Sequence, residues 1–414
     1  MKTKKDGLFR AGIIFFIGSF TVAIFNYLYH LFMGRMLGPV EYGVLGSLFA
    51  IIYISTFATS TFNKVISKFA SEFKSNDQTG FLNYLLKRGF YKITLYGIIA
   101  LIIYLLFIPL LQNFLNLDSN TGLILTGIVA FLSLIFTLFI GILNGLQKFI
   151  LQNISSIISV IFKFSLAVIL VFLGFGVNGA LVAIAIGVFI GIIFAAYSVK
   201  DILFSKIKQK FNTKKVYMYA IPVFIGSVVP ILLITLDILL VKHYFSSYDT
   251  GLYSALGFIG KIIWFGSGFI VPALFPKIVK LKSENKDTSK MLVKGIIITL
   301  SLAIIGLIIY FMIPTLIVNL LFGPKFIEIV PLIGYFGIGM ALFSISQIII
   351  TYNLAIEKYH FIPIIIFGLI IEITGIILYH QTLTDIVKIF TVTNALILIG
   401  LIITNLNIIF KSEE

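Results

Sequence analysis

Residues 152–174 read QNISSIISVIFKFSLAVILVFLG. The run is apolar over about the 20 residues that an α-helix needs to cross a ~30 Å hydrocarbon core. Its polar residues are not scattered. Gln152, Ser156, Ser159 and Lys163 follow one another at steps of four, three and four, which puts them on one side of a helix. A lysine halfway along such a segment costs about 2.5–3.5 kcal/mol on insertion scales, and such residues turn toward protein or water rather than lipid. The stretch reads as a membrane-spanning helix with one lipid face and one polar face.

Working outward, runs of the same kind recur at approximately 10–33, 41–61, 88–111, 120–144, 152–174, 177–198, 217–241, 251–275, 294–318, 328–352, 361–380 and 385–410. The expected fold class is an all-α integral membrane protein with twelve transmembrane helices. Composition agrees: the 414 residues are 59% hydrophobic and 11% charged, with a mean hydropathy of +1.11. A soluble chain is about a quarter charged, so these charges are too few to coat a water-facing surface. Disordered, collagenous and coiled-coil classes are excluded on the same grounds. With no cysteine there is no disulfide and no thiolate metal site, and His30, His243, His360 and His380 lie too far apart for zinc spacing, so no metal site is expected. The first run is too long for a signal-peptide core and is expected to be retained.

The net charge of +15 is a topology signal. With the amino terminus inside, 24 of the 31 basic residues fall on inner loops and tails, while Arg35, Lys242, Lys325 and Lys388 fall outside. That asymmetry predicts both termini on the cytoplasmic side of the cell membrane and leaves no role for nucleic acid. Outer connections are about ten residues or fewer, too short to hold an acceptor for a glycan polymerase or ligase, so an enzyme is not expected. In the inner segment 62–88, Val65, Ile66, Phe69 and Phe73 interleave with Lys64, Lys68 and Lys74. That fits a helix on the inner leaflet or, the reading preferred here, an elbow between spans.

The halves resemble each other. Gly-Arg-Met-Leu-Gly-Pro-Val-Glu-Tyr-Gly (34–43) answers 242–251, with Glu41/Asp249 and Gly43/Gly251 in register. Leu-Ile-Ile-Tyr recurs at 101–104 and 307–310, each followed by a proline (Pro109, Pro314) and an asparagine (Asn113, Asn319), and Asn144 with Lys148 answers Asn353 with Lys358. An even number of spans per half makes the two six-helix repeats parallel, with bundles expected over 1–205 and 206–414. Such halves typically enclose a transport site near mid-membrane.

Ionisable residues inside spans are the candidate functional groups: Lys163, Lys261 and Glu372 near mid-span, Asp237 near the outer end of span 7, and Lys92 near an inner end, where it can snorkel. Ser254, Gly257, Lys261, Trp264 and Gly268 form one stripe, as do Gly368, Glu372, Gly375 and Tyr379. Span 1 carries Ser19, Asn26 and His30, span 2 carries Tyr53, Thr56, Ser60 and Asn63, and span 10 carries Ser344, Gln347 and Thr351. Interhelical hydrogen bonding explains Ser and Thr; for the charged three a cavity-lining role is favoured. At an offset of 209 Lys163 superposes on Glu372, which suggests an ion pair formed in one transport state. Pro222 and Pro230 mark a hinge or a static kink in span 7. Ala183, Gly187, Gly191 and Ala195 form a small-residue face for close helix packing. Gly174-Phe-Gly-Val-Asn-Gly179 matches a dinucleotide-binding pattern, but between two spans it is expected to be only a turn.

The 34–43 segment, Leu-Asp-Ile-Leu-Leu-Val-Lys (236–242), Gly-Leu-Tyr-Ser-Ala (251–255), Phe-Gly-Pro-Lys-Phe (322–326) and Leu-Gly-Phe-Gly-Val-Asn-Gly-Ala (173–180) together resemble the polysaccharide-biosynthesis flippases. These form the oligosaccharidyl-lipid branch of the multidrug/oligosaccharidyl-lipid/polysaccharide (MOP) exporter superfamily. The resemblance covers nearly the whole chain and implies a MATE-like transporter fold that moves a polyprenyl-pyrophosphate-linked oligosaccharide from the inner to the outer leaflet by alternating access. It implies that Lys261, Lys163 and Arg35 supply positive charge to the head group, that Trp264 and Tyr53 stack on sugars, and that span 1 contributes Asn26 and His30 where the family's cationic site would place an arginine. Family members are linked to ion gradients, which makes Glu372 or Asp237 the expected H+ or Na+ site; no cofactor is implied. The implied partners are the lipid-linked oligosaccharide and membrane lipids, with glycan polymerase machinery as an open option. The alternative is a multidrug or organic-cation antiporter of the same superfamily, for which acidic groups facing the cavity would be expected.

Overall fold

The structure, a computed structural model, describes residues 2–76, 79–203, 228–268, 270–284 and 286–409. The described residues are helical apart from turns and short connections. They divide into two compact units, Met1–Val228 and Val229–Glu414; the expected boundary at 205/206, like Pro222, lies outside the described residues. The first unit holds α1 (Lys2–Ser75), α2 (Thr79–Phe114), α3 (Thr121–Gly145), α4 (Phe149–Phe172), α5 (Gly176–Tyr197) and α6 (Lys200–Leu203). The second holds α7 (Leu236–Tyr244), α8 (Ser247–Gly268), α9 (Ile270–Ser283), α10 (Ser289–Met312), α11 (Pro314–Leu321), α12 (Val330–Ala355), α13 (Phe361–Leu378) and α14 (Leu383–Ile409), with a 3-10 turn at Pro324–Ile329 before α12.

Nine helical segments among the described residues are long and apolar enough to cross a membrane, so the chain is a multi-pass membrane protein. The count differs from the expected twelve because spans 1 and 2 form one of these segments, part of span 7 lies outside the described residues and span 8 is not among the nine. One apolar segment, Phe16–Thr56, runs for 41 residues, about 60 Å at 1.5 Å per residue and twice what a bilayer core requires. It holds spans 1 and 2, joined at Gly38, whose φ of 71° and ψ of 177° are not helical. The following Pro39 cannot donate the hydrogen bond that would carry the helix through, and the chain doubles back so that Tyr53 meets His30. Span 9 is cut at Ile313, where Pro314 opens α11. Span 7 is interrupted at 233–235 by bonds to the third residue back, Ile234 N–H to Ile231 and Thr235 N–H to Leu232, just before α7.

Each unit repeats the same packing. In the first, α3 packs on α1 and α5, and α4 on α1 and α5; in the second, α12 packs on α8, α9 and α14, and α13 on α7 and α14. The duplication reaches the helix ends. Gln147 and Glu357 both close a helix in the left-handed region, at φ 57° and 59°. The next amides, Lys148 and Lys358, bond back to Leu143 and Asn353 at 2.9 Å, the Schellman arrangement. Above each end sits a lysine: Lys74 Nζ donates to the Leu146 carbonyl and Lys282 Nζ to the Ile356 carbonyl, both at 2.6 Å. A cation belongs at the negative end of a helix dipole. These two lysines thus join segments distant in the chain.

In the 62–88 elbow, Val65, Ile66, Phe69 and Phe73 are buried against Leu138, Phe139 and Ile142 of α3 and Ala195 of α5. The apolar face turns into its own bundle, as an elbow should. The small-residue face of α5 is equally literal: a Cβ on Gly187 would lie 2.6 Å from the Ser159 carbonyl and 2.8 Å from the Lys163 amide nitrogen. Backbone cannot yield as a side chain can. Gly187→Val is therefore expected to destabilise the protein by about 1–3 kcal/mol or more, read as a lowered melting temperature. Gly266→Ala, where a Cβ meets nothing within 4 Å, is the neutral control.

Candidate functional site

Each unit buries a polar cluster, and the sequence-predicted residues divide between the two. In the first unit Lys163 reaches from α4 toward α1. Its Nζ donates to Asn26 Oδ1 at 2.6 Å and lies 4.4 Å from the centre of the Tyr29 ring. Lys163 is 8% exposed and Tyr29 fully buried, and the Tyr29 hydroxyl donates to the Ala180 carbonyl of α5 at 3.2 Å. An amide oxygen and a ring face both solvate a cation. Beside this pair lies His30. The Tyr42 hydroxyl is 3.3 Å from its Nδ1 and the Tyr53 hydroxyl 3.4 Å from its Nε2. In either neutral tautomer one hydroxyl donates and the other accepts. Arg35 is exposed near the Gly38 turn.

In the second unit the cluster is acidic. Asp237 begins α7 after the helix break, fully enclosed; its Oδ2 accepts from the Tyr253 hydroxyl of α8 at 2.7 Å and its Oδ1 from the Ile238 amide at 2.8 Å. Lys261, one helical face further along α8, acts electrostatically on Asp237, and so does Glu372 of α13. Glu372 is 2% exposed, and neither of its carboxylate oxygens has a hydrogen-bond partner among the described residues. On α14, Thr393 is buried with its hydroxyl likewise without a partner. Thr393 packs against Gly368, one turn of α13 before Glu372. Asp237 and Glu372 thus lie in electrostatic reach of each other, and a proton or a small monovalent cation is the kind of charge that would balance them. Among the described residues no three of His, Asp or Glu gather as a site for a transition metal.

Lys261 is only half-buried. Trp264, one turn on, lies edge-on to Phe343 with centroids 6.0 Å apart and keeps part of its surface open. A cation beside a partly exposed indole can take an anionic, sugar-bearing group. The 174–179 pattern is the turn at Gly174 and Phe175 that leads into α5: Gly174 and Gly176 have φ of 89° and 51°. The Glu41 carboxylate stands 3.1 Å from where a Gly176 Cβ would be, so the helix end that would cradle a phosphate faces an acid of the protein itself. Sequence reasoning passed over Tyr29, Tyr253 and Thr393. Tyr29 follows Asn26 by three residues, on the same face, and that spacing was its available signal.

The family model of polysaccharide biosynthesis proteins matches residues 8–282. No curated protein matches the sequence. Among solved structures, a multidrug resistance MATE family transporter of the MOP superfamily, in an inward-facing conformation, aligns with a TM-score of 0.79 at 13% identity over 94% of both chains. The lipid II flippase MurJ in an inward closed conformation gives 0.73 at 17% identity, over 97% of this chain and 90% of that one. The MATE multidrug transporter DinF-BH, solved as a complex, gives 0.71 at 17% identity, over 97% and 96%. At these identities the likeness is one of fold: this chain has the MATE-like transporter fold.

Proposed function

The chain belongs to the polysaccharide biosynthesis protein family, and from that premise we propose that it is a flippase. It would carry a polyprenyl-pyrophosphate-linked oligosaccharide across the cytoplasmic membrane by alternating access, for cell-surface polysaccharide assembly. Both termini would be cytoplasmic, as the distribution of lysine and arginine favours. The family match is the observation that carries the reading, and the chemistry of Lys261 agrees with it. A pyrophosphate head needs a fixed positive charge away from bulk water, where it is worth more than in solvent. Trp264 offers a face for a sugar ring, while the polyprenyl tail stays in lipid.

The acidic cluster supplies the second half of the mechanism. Asp237 and Glu372 would take up a proton or Na+ from the outer side, and release of that ion inward would drive the cycle. Two acids in reach of each other, one without a hydrogen bond among the described residues, gain most from a bound cation. The same acids also favour a second reading, a cation antiporter in which they attract the drug itself.

The deciding experiment is flipping of a fluorescent polyprenyl-pyrophosphate oligosaccharide in liposomes reconstituted with the purified chain. Flipping above empty liposomes, steepened by an H+ or Na+ gradient, is the expected result. Export of a cationic dye with no lipid flipping would replace it with the antiporter reading.

A further inference from the structure

We propose that the Lys163 ammonium is a built-in cation, filling in the first bundle the place that an exchangeable monovalent cation takes in the second. The first bundle would then stay in its loaded form throughout the cycle, and only the second would exchange an ion. This rests on the reading of Asp237 and Glu372 as the coupling-ion site.

The internal repeat carries the argument. Tyr29 and Asp237 are 208 residues apart, as are Tyr53 and Lys261, and as are Gly43 and Gly251 in the quoted turns; Lys163 and Glu372 are 209 apart, as are Asn144 and Asn353. The same pairs come together in both units. Asp237 interacts with Glu372 in the second unit, and the Tyr29 ring with Lys163 in the first. The Lys163 Nζ lies over that ring, between positions 29 and 163, just as an ion held by both acids would lie between positions 237 and 372.

The chemistry of the two clusters differs in the way this predicts. An exchangeable ion must be drawn out of water against its hydration, and Asp237 and Glu372, two acids of which Lys261 balances only one, do that. A covalently tethered ammonium never leaves, so neutral ligands suffice to solvate it: Asn26 Oδ1 at 2.6 Å and an aromatic face at 4.4 Å. The ionisable side chains around it, Tyr29, Tyr53, Tyr42 and His30, are neutral in their common forms. The root of Lys163 is held as well, because its backbone nitrogen and Cβ lie against Gly187 of α5. A ligand for substrate would be expected to reach outward; this ammonium is turned into its own bundle.

The test uses the full chain, purified in detergent at constant ionic strength, with choline exchanged for methylammonium. Lys163→Ala removes the ammonium with the three methylenes that carry it and opens a space that admits methylammonium. The variant is expected to melt below wild type and to recover about 2–4 °C at saturating methylammonium. Wild type should not respond, and the recovery should persist in Lys163→Ala/Glu372→Gln. Lys163→Ala as indifferent to methylammonium as wild type would overturn the proposal. Ion stoichiometry decides it without a Lys163 variant, from binding of radioactive sodium and proton release in weakly buffered solution. One exchangeable ion per wild-type chain and none in Glu372→Gln supports a tethered first site. Two ions, or one that survives Glu372→Gln, would overturn it. No exchangeable ion in wild type would instead remove the coupling reading itself, and this inference with it.

Discussion

Lys261→Met is expected to weaken binding of a pyrophosphate-linked head group by about 10–100-fold and to stop flipping at working concentrations. The size follows from what is removed. A hydrogen bond to a charged group contributes about 1.5–3 kcal/mol, and each 1.4 kcal/mol is a factor of ten. The variant has a second effect that must be separated from the first. Lys261 acts electrostatically on Asp237, which is enclosed among α7 and α8 side chains. Removing the lysine leaves the enclosed Asp237 carboxylate with one fewer compensating charge, at a cost below the about 3–5 kcal/mol of a fully buried pair because Lys261 is half-buried. The single variant should therefore melt lower as well as bind less. Asp237→Asn/Lys261→Met removes both charges together, and such a double change separates the roles. Its melting temperature should return toward wild type while head-group binding stays lost, and Asp237→Asn alone should keep binding. Binding restored in the double variant would make Lys261 a counter-ion for Asp237 and nothing more.

Lys261, Lys163 and Glu372 were legible in the sequence because a charge at mid-span is costly and must have a reason. Their partners were harder to see, each for its own reason. Tyr29 and Tyr253 are aromatic residues on apolar helices, where packing explains them equally well, and only the fold shows one hydroxyl on Asp237 and one ring under Lys163. Lys74 and Lys282 counted toward topology, yet their partners are the backbone carbonyls of Leu146 and Ile356, which carry no side-chain signature. Hydropathy located the nine long apolar segments among the described residues but not the breaks in the chain. Gly38 and Pro39 sit in a recognisable turn, whereas the interruption at 233–235 falls among Leu, Ile and Thr. There a choice between bonding to the third or fourth residue back leaves composition unchanged. The suggested Lys163–Glu372 pair drew on repeat register alone, and the register has proved more informative about each bundle separately: it identifies Tyr29 with Asp237.

Glu372→Gln is expected to uncouple the transporter and stabilise it at once. With the gradient applied, flipping by the variant should fall to the rate seen without one, a loss of at least about tenfold if the bound ion contributes 1.4 kcal/mol or more to the driving step. Head-group binding at Lys261 should be unchanged, since Glu372 belongs to α13 and its electrostatic neighbour is Asp237. Stability should move the other way. A carboxylate at 2% exposure with no hydrogen bond to either oxygen, in reach of a second acid, is destabilising until a cation arrives. Glutamine keeps the shape and cannot ionise, so at alkaline pH, where the wild-type carboxyl has lost its proton, the ion-free variant should melt higher than ion-free wild type by the equivalent of about 1–2 kcal/mol. Wild type should close that gap when Na+ or protons are added, because a ligand that binds only the folded state stabilises it. Strain of this kind, relieved only by the ion, is what a coupling site requires: a carboxylate already satisfied by protein donors would have no free energy to pass on. A variant that melts lower but still responds to the gradient would make Glu372 a structural acid and move ion binding elsewhere in the chain.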